Sequence, residues 1–436
     1  MAGFLGMRGT GDWATDQRPK NWREGILFLY PNGMAPLTAI MSKLKSEAVD
    51  DPNFYWWTKT LPTQRAAITG VYTDASLTTP YVSGGVAGTI LYVKMTEDDV
   101  KQFRVGHQVL LRDASDYTVD VNAKVIARSV NGASSYIACK LLEADDNSTH
   151  SNNLSDADVA LIIGNINEEG ATMPTGVSYD PVKLYNYTQI WRTPLSITRT
   201  ARKTRLRTGD AYKEMKREAL EIHSIEMEKS FLFGVKTENT GDGGKLERTT
   251  DGIITILRAS APNNVDDFSL NSAYSGKAWI DSGGGEKWLK SYLEVIFRYG
   301  RAEKLGLCGS GALLGINNLA EASSHFTMTS ATKAYGIQVT EWVTPFGKIN
   351  LITHPLFSSE ATLRNSLLIL EPERLKYRYI DDTNFYGEGT AKQAGPGTNA
   401  GRKDGTDEEF LTEAGLELYH PTTMGFLNGV GEDSEV

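Results

Sequence analysis

The residue types that carry out catalysis or bind metals are present in this chain, but their spacing matches no catalytic or metal-binding motif. The six histidines are scattered, and no two have the His-x3-His spacing of a helical metal site. The two cysteines, Cys139 and Cys308, form no Cys-x2-Cys pair and are too few for a disulfide framework. We therefore predict no catalytic residue, no metal site and no cofactor.

Glycine-rich and acidic stretches give no clearer sign of an active site. Residues 309–315, GSGALLG, depart from the glycine spacing of a dinucleotide-binding turn, and residues 241–245 lack the full phosphate-loop pattern. Paired acids at 50–51, 145–146 and 381–382 lie in turn-like sequences, which favours solvated turns over an acid–base pair. An enzyme with an inserted β domain and an unrecognisable active site stays open as an alternative.

Composition sets the broad class of protein. The chain has 436 residues, enough for about two or three domains. No run approaches the roughly 20 apolar residues that span a bilayer, and the N-terminus has no apolar signal core, so we expect no membrane partner. The net charge of −9 argues against a protein whose main task is binding phosphates.

The longest helical pattern in the chain runs from Thr208 to Gly234. Thr208 can cap the first turn, and Gly234 can end the helix in a left-handed conformation. His223, near the middle, is expected to be packed or paired and not catalytic. Apolar residues at three- and four-residue steps are expected to share the buried face: Tyr212, Met215, Ala219 and Ile222.

A basic cluster precedes this helix. It consists of five positive residues within nine positions: Arg199, Arg202, Lys203, Arg205 and Arg207. Such a cluster can bind phosphate, but in an acidic chain we favour pairing with carboxylates. A nucleic-acid-binding protein that uses 199–207 and the basic face of 374–380 is a further alternative, which the acidic total charge disfavours.

The region between about 84 and 165 has the pattern of short β-strands. Runs of Val, Ile and Leu are separated by Gly, Asn and Asp, and Asn131-Gly132 is the strongest hairpin signal in the chain. We predict a small antiparallel β unit that projects from a larger body. A second amphipathic helix is predicted from Glu286 to Tyr299, and Gly300 closes it.

Two stretches lack the pattern of a packed element. Residues 1–35 mix glycine, charge and the isolated Trp13 and Trp22, which predicts an arm that docks on another surface. Residues 386–408 contain six glycines and no apolar period, and such long loops are usually functional or disordered. Extended elements need a partner to bury their apolar side chains, and self-assembly provides one.

The chain resembles a tailed-bacteriophage major capsid protein over nearly its whole length. The resemblance is carried by five stretches in order: REGILFLYPNGMAPLTAIMSKLKSE (23–47), NEEGATMPTG (167–176), NYTQIWRTPLSITRTAR (186–202), EMEKSFLFG (226–234) and TEAGLELYHPTTMGFLNG (412–429). It implies an α+β fold with a long spine helix, a β-rich extended loop (E-loop), a P-domain and an A-domain.

The resemblance also implies a division of the chain. The segments would be an N-terminal arm at 1–50, an E-loop at 51–187 with the β unit of about 84–165, a P-domain at 188–240 with the spine helix at 208–234, an A-domain at 241–371, and a P-domain return hairpin with the C-terminal tail at 372–436. The long helical N-terminal extension of some family members is missing here, which favours a separate scaffold protein.

The function implied by the resemblance is self-assembly into hexamers and pentamers of an icosahedral shell around phage double-stranded DNA. The protein would assemble in the host cytoplasm and reside in the virion. Its partners would be copies of itself, a portal, and scaffold or decoration proteins, with weak non-specific proximity to packaged DNA. Candidate subunit-contact residues are then Trp13, Trp22, Arg199, Arg202, Lys203, Arg205 and Arg207, the basic ones facing acidic groups of a neighbouring subunit.

Overall fold

The computed structural model describes residues 46–59, 63–115, 119–145, 153–170, 172–204, 210–281, 283–322, 327–334, 337–386 and 405–434. The chain forms two compact units. The first is built from the chain up to Thr58 and from Lys183 onward, and the second is Lys59–Val182.

In chain order the strands are β1 Ser46–Ala48, β2 Asn53–Thr58, β3 Arg65–Ala67, β4 Gly70–Tyr72, β5 Ile90–Lys94, β6 His107–Arg112, β7 Asp120–Ser129, β8 Tyr136–Leu141, β9 Val159–Asn165, β10 Val182–Tyr187, β11 Gln189–Thr198, β12 Thr237–Thr240, β13 Leu246–Thr249, β14 Val265–Asp267, β15 Glu303–Cys308, β16 Thr327–Ala334, β17 Ile337–Thr344, β18 Gly347–Thr353, β19 Leu367–Leu370, β20 Leu375–Tyr386, β21 Gly405–Leu418 and β22 Gly425–Asn428. The two longest described strands, β20 and β21, pair with each other near the C-terminus.

One helix is much longer than the others. In chain order the α-helices are α1 Glu97–Gln102, α2 Arg199–Lys203, α3 Ala211–Phe233, α4 Ile253–Ser260, α5 Gly285–Phe297, α6 Ser310–Ala322 and α7 Pro355–Ser359. The 23 residues of α3 make a rod of about 35 Å.

The second unit is an antiparallel sheet in the order β3-β9-β6-β7-β8-β5-β4. Its two end strands, β3 and β4, are consecutive in the chain and pair with β9 and β5 respectively. Between them, Ile68 donates to the Asp158 carbonyl and Thr69 to the Lys94 carbonyl. The kinked stretch 65–72 therefore closes the sheet into a barrel, whose interior is filled by apolar side chains.

The first unit contains two larger sheets. One has the order β1-β20-β21-β11, and the other has the order β14-β22-β19-β15-β18-β17-β16. One apolar core joins both sheets to α3 and α4 through Met227, Phe231, Ile254 and Leu257. A separate core lies beneath α5 and α6 and includes Trp288 of α5. The sheets of this unit thus bury their apolar faces beneath helices, as an α+β architecture requires.

The long helix is present as predicted, but its ends differ in detail. Asp210 caps its start by accepting the Tyr212 N–H at 3.0 Å, whereas the predicted cap, Thr208, lies outside the described residues. The prediction of a left-handed Gly234 is wrong, because its φ is −55°. Glycine is needed there for space, since a Cβ would lie 2.4 Å from the Thr250 carbonyl oxygen.

The predicted buried face of this helix contains one error. Ile222 is 50% exposed, while its neighbour His223 is only 1% exposed. The buried face follows the four-residue series Ala219, His223 and Met227, because the imidazole finds hydrogen-bond partners in the sheet beneath. Polarity alone misassigned Ile222, whereas the expectation that His223 is packed or paired holds.

Other expectations from the sequence hold with small changes. The hairpin at Asn131-Gly132 joins β7 to β8, but through the six residues 130–135 and not a two-residue turn. The helix predicted at 286–299 is α5, and Gly300 follows with φ +86°. The acids at 381–382 lie inside β20, so the turn predicted for them is wrong.

Candidate subunit-contact surfaces

Helix α3 is fixed to the four-stranded sheet by a buried histidine. The imidazole of His223 places Nδ1 2.9 Å from the Thr193 hydroxyl of β11 and Nε2 2.8 Å from the Thr412 hydroxyl of β21. Thr412 in turn lies 2.9 Å from the Thr383 hydroxyl of β20. Burial lowers the pKa of His223, so the neutral ring links the helix to three strands. The ring is packed and hydrogen-bonded, as the sequence predicted.

A second buried histidine attaches the same helix to the seven-stranded sheet, at the residue that follows β18. Nε2 of His354 lies 2.6 Å from the Glu228 carboxylate of α3, and both side chains are buried. Nδ1 of His354 accepts the Phe357 N–H at the start of α7, so Nε2 carries the proton that is donated to Glu228. Helix α3 is therefore a rigid support attached on two sides.

The outer surface of α3 carries an exposed apolar stripe. We define the helix stripe as Ile222, Ile225 and Phe233, which are 50%, 42% and 39% exposed. At about 100° per residue these three positions fall within a sector of roughly 80° on one side of the helix. Apolar side chains aligned on a rigid, exposed element are typical of a protein contact surface.

An exposed aromatic patch lies on the β2–β10 ribbon. We define the ribbon patch as Tyr55, Trp57, Lys183 and Tyr185. The rings of Tyr55 and Tyr185 lie 6.1 Å apart, and the Lys183 ammonium lies 3.6 Å from the centre of the Tyr55 ring. Trp57 is 60% exposed. Large aromatic rings with a cation are the side chains that protein interfaces favour.

The predicted basic cluster is described only in part. Arg202 places its guanidinium 4.6 Å from the centre of the Tyr212 ring, and the Tyr212 hydroxyl donates to Glu408 at 2.5 Å. Lys203 is exposed on α2, and Arg199 begins that helix. The remaining predicted contact residues lie outside the described ranges: Trp13, Trp22, Arg205 and Arg207.

The acidic start of β21, which was not predicted from the sequence, lies close to the described part of the basic cluster. Besides Glu408, Glu409 forms a two-pronged ion pair with Arg192 of β11, at 2.8 and 2.7 Å. The signal was present in the run of acids at 407–409, but the pairing of β11 with β21 across more than 200 residues could not be read from the sequence. Contact of the basic cluster with a neighbouring subunit stays a prediction.

Sites of other kinds find little support in the described ranges. No group of three or more His, Cys, Asp or Glu residues there could hold a metal ion. Burial raises the pKa of the Cys139 and Cys308 thiols to about 12, which makes them unreactive. Within the same ranges, no helix combines the length and apolarity that a membrane span demands.

Comparison with known proteins identifies the family. The model of the family described as SU10 major capsid protein matches residues 9–431. The chain belongs to this family. The major capsid protein of Pseudomonas phage PaMx41 is similar to it, with 24% identity over 427 residues that cover 95% of this chain and 93% of that protein.

Solved phage structures show a weaker similarity to this capsid protein. That of Mycobacterium phage Bobi has 6% identity and a TM-score of 0.46, covering 95% of this chain and 96% of the other. That of Microbacterium phage Oxtober96 has 9% identity and a TM-score of 0.42, covering 96% and 98%.

The family settles the broad function. The protein is a structural protein of a phage, it forms the capsid shell, and it resides in the virion. The predicted phage major capsid protein and its α+β fold are confirmed.

Proposed function

We propose that the chain assembles into hexamers and pentamers of an icosahedral shell around double-stranded DNA, with the helix stripe as a principal subunit contact. The observation that carries this proposal is the pair of half-exposed isoleucines, Ile222 and Ile225, on a helix that His223 and Glu228 hold from behind. A rigid support keeps an apolar contact in a constant geometry in every copy.

The energy of such a contact suits reversible assembly. Burying the remaining exposed surface of the three stripe residues contributes about 2–4 kcal/mol for each contact. One contact of this size is weak, but the same contact repeated around closed rings stabilises a complete shell. The ribbon patch adds a second contact of the same kind.

The parts of the fold suggest how the chain is divided among shell functions. The unit Lys59–Val182 falls within the E-loop expected at 51–187, and the P-domain would comprise α3 and the four-stranded sheet. The A-domain at 241–371 would contribute α4 to β19. The arm expected at 1–50 would lie on neighbouring subunits except at β1, which pairs with β20 of its own chain. The closed barrel of the E-loop unit supports its role as a separate module, because a closed sheet leaves few edges to pair.

A shell that encloses DNA also needs other proteins. Portal, scaffold and decoration proteins would bind the shell, which would assemble in the host cytoplasm. The net charge of −9 suits a wall that does not adhere tightly to packaged DNA. The chain has a structural role and would carry out no catalysis.

The test replaces Ile222 and Ile225 together with glutamate. We expect a folded protein that sediments as single subunits or small rings, because the charged face cannot be buried on a neighbour. Leu314→Glu is the matched control, since Leu314 is 60% exposed on α6, away from the stripe. Normal shells from the double variant would contradict the proposal.

A further inference from the structure

We propose that Arg378 is a preformed receptor for the carboxylate of Glu47, and that this pair latches the N-terminal segment onto the edge of the four-stranded sheet. The latch consists of β1, its neighbouring strand β20 and the side chains of Glu47, Lys376 and Arg378. It explains the basic face of 374–380, whose charges are also compatible with a nucleic-acid site.

Strand β1 has little to hold it in place except this edge. Its three residues are all exposed, and they pair in parallel with residues 377–379 of β20. One further backbone bond follows, from Val49 N–H to the Tyr379 carbonyl at 2.9 Å. A strand without buried side chains is marginal, because backbone bonds alone barely offset the entropy of ordering it.

The receptor is fixed from inside the sheet. Glu417 of β21 is fully buried, and its carboxylate accepts a hydrogen bond from Nε of Arg378. This bond holds the guanidinium whether or not β1 is present. Its outer nitrogen Nη1 then lies at the sheet edge, 2.6 Å from Glu47 Oε2. A fixed guanidinium binds a carboxylate strongly because little entropy is lost on binding.

Lys376 completes the latch. It lies two residues from Arg378 and therefore on the same face of β20. Its ammonium is 3.5 Å from Glu47 Oε2. The hydrogen bond from Arg378 holds the pKa of Glu47 below its usual range, which keeps the carboxylate charged. The basic face of β20 thus neutralises two carboxylates of its own chain and presents less charge to DNA.

The latch fixes where the N-terminal segment leaves the sheet. Only residues 49–52 separate β1 from β2, so β1 cannot move far from its own subunit. Because the Glu47 side chain is 56% exposed, salt screens the ion pair and weakens the latch. The role of that segment as an arm on neighbouring subunits rests on the proposed function, but the latch itself does not.

The test compares Glu47→Gln with the unchanged full-length chain. Hydrogen exchange at the Val49 amide and trypsin cleavage after Lys43 and Lys45 report whether β1 is attached. We expect both rates to rise about tenfold in the variant, since local opening becomes easier. Raising NaCl from about 0.05 M to about 1 M should speed exchange in the unchanged chain and have little effect on the variant.

Glu373→Gln is the matched control, because Glu373 is an exposed carboxylate paired with Arg301 at 2.7 Å that takes no part in the latch. A second variant, Glu47→Lys, should open β1 further by repulsion from Arg378. The latch proposal is wrong if the exchange and cleavage rates of both Glu47 variants stay within about twofold of those of the unchanged chain. It is also wrong if the rates rise equally in the control. Shell formation is scored separately, so the latch can fail while the capsid function stands.

Discussion

The N–H of Gly252 donates to the carbonyl oxygen of Gly234 at 2.9 Å, where the end of α3 meets the start of α4. A Cβ on Gly252 would lie 2.6 Å from the Gly234 nitrogen and 2.8 Å from the Leu232 carbonyl oxygen. Neither glycine has a positive φ, so close approach of two backbones is what requires them. This contact positions α4 against the long helix in the main core.

Gly252→Ala should therefore destabilise the protein by about 1–3 kcal/mol or more, because the added methyl group meets backbone atoms that cannot rotate away. The midpoint of denaturant unfolding measures the change. Gly243→Ala is the control, since a Cβ there meets no atom within 4 Å, and its midpoint should barely move. Equal midpoints for the two variants would contradict the close-approach argument.

The buried ion pair of Lys304 and Glu371 gives a second prediction. The Lys304 ammonium lies 2.9 Å from Glu371 and also donates to the Thr423 carbonyl at 2.7 Å. Burial opposes the charge on Glu371, but hydrogen bonds from Lys304 and the Arg301 N–H outweigh it and hold the pKa of Glu371 low. Glu371→Gln leaves a buried ammonium without its counter-charge and should cost about 3–5 kcal/mol of unfolding free energy.

An exposed pair provides the comparison for this prediction. Glu373→Gln breaks the ion pair with Arg301, whose partners are both more than half exposed, and should cost less than about 1 kcal/mol. Calorimetry on both variants checks the difference. If both variants lose a similar amount of unfolding free energy, burial does not determine how much each ion pair stabilises the protein.

Acid should weaken the attachment of α3 to the four-stranded sheet. Burial lowers the pKa of His223 in the folded protein, whereas an unfolded histidine titrates near about 6.5. As the pH falls through this value, the unfolded chain binds a proton that the folded chain resists, so stability falls by up to about 1.4 kcal/mol per pH unit. Unfolding curves between about pH 7.5 and 5 measure this slope.

His223→Asn removes the titrating ring and should flatten the pH dependence, even though the variant is less stable at neutral pH. His420→Asn is a suitable control, because His420 has φ +47°, a conformation that asparagine tolerates, and it lies outside the Thr193–His223–Thr412 chain. An unchanged slope in His223→Asn would assign the acid sensitivity to other groups.

The basic cluster gives a prediction about assembly. Reversal of charge at Arg202 and Arg205 should reduce shell yield while the free energy of unfolding stays within about 1 kcal/mol of that of the original chain. Arg258→Glu, an exposed reversal on α4, should assemble normally. If the double variant forms shells at full yield, the cluster serves only contacts within its own chain, such as that of Arg202 with Tyr212.

Local sequence patterns predicted much of the fold, whereas contacts between residues distant in the chain could not be predicted. The apolar period and the stop at Gly234 were enough to place α3, and short Val and Ile runs were enough for the barrel strands. The placement of Ile222 on the buried face failed, because the buried side of α3 depends on the contacts of His223 with Thr193 and Thr412, which lie 30 and 189 residues away. A single sequence contains no signal for those partners.

The candidate contact surfaces could likewise be predicted only in part from the sequence. The sequence singled out Arg202 by its charge, but the helix stripe emerged only when the buried side of α3 was known. The aromatic run at 54–57 was visible, yet only the alternation of β2 shows that Tyr55 and Trp57 face outward while Phe54 and Trp56 are buried. Exposure, which decides what can bind, is a property of the folded chain.

We propose that this chain builds a closed shell from copies of itself and that residues 1–35 form an intersubunit arm. The decisive experiment is electron microscopy of the purified 436-residue chain beside the chain lacking residues 1–35. We expect closed shells from the full-length chain, and a folded protein that forms no closed shells from the truncated one. A 436-residue chain that stays monomeric under all assembly conditions would show that the chain does not build the shell alone, and a truncated chain that closes shells normally would show that residues 1–35 are not an intersubunit arm.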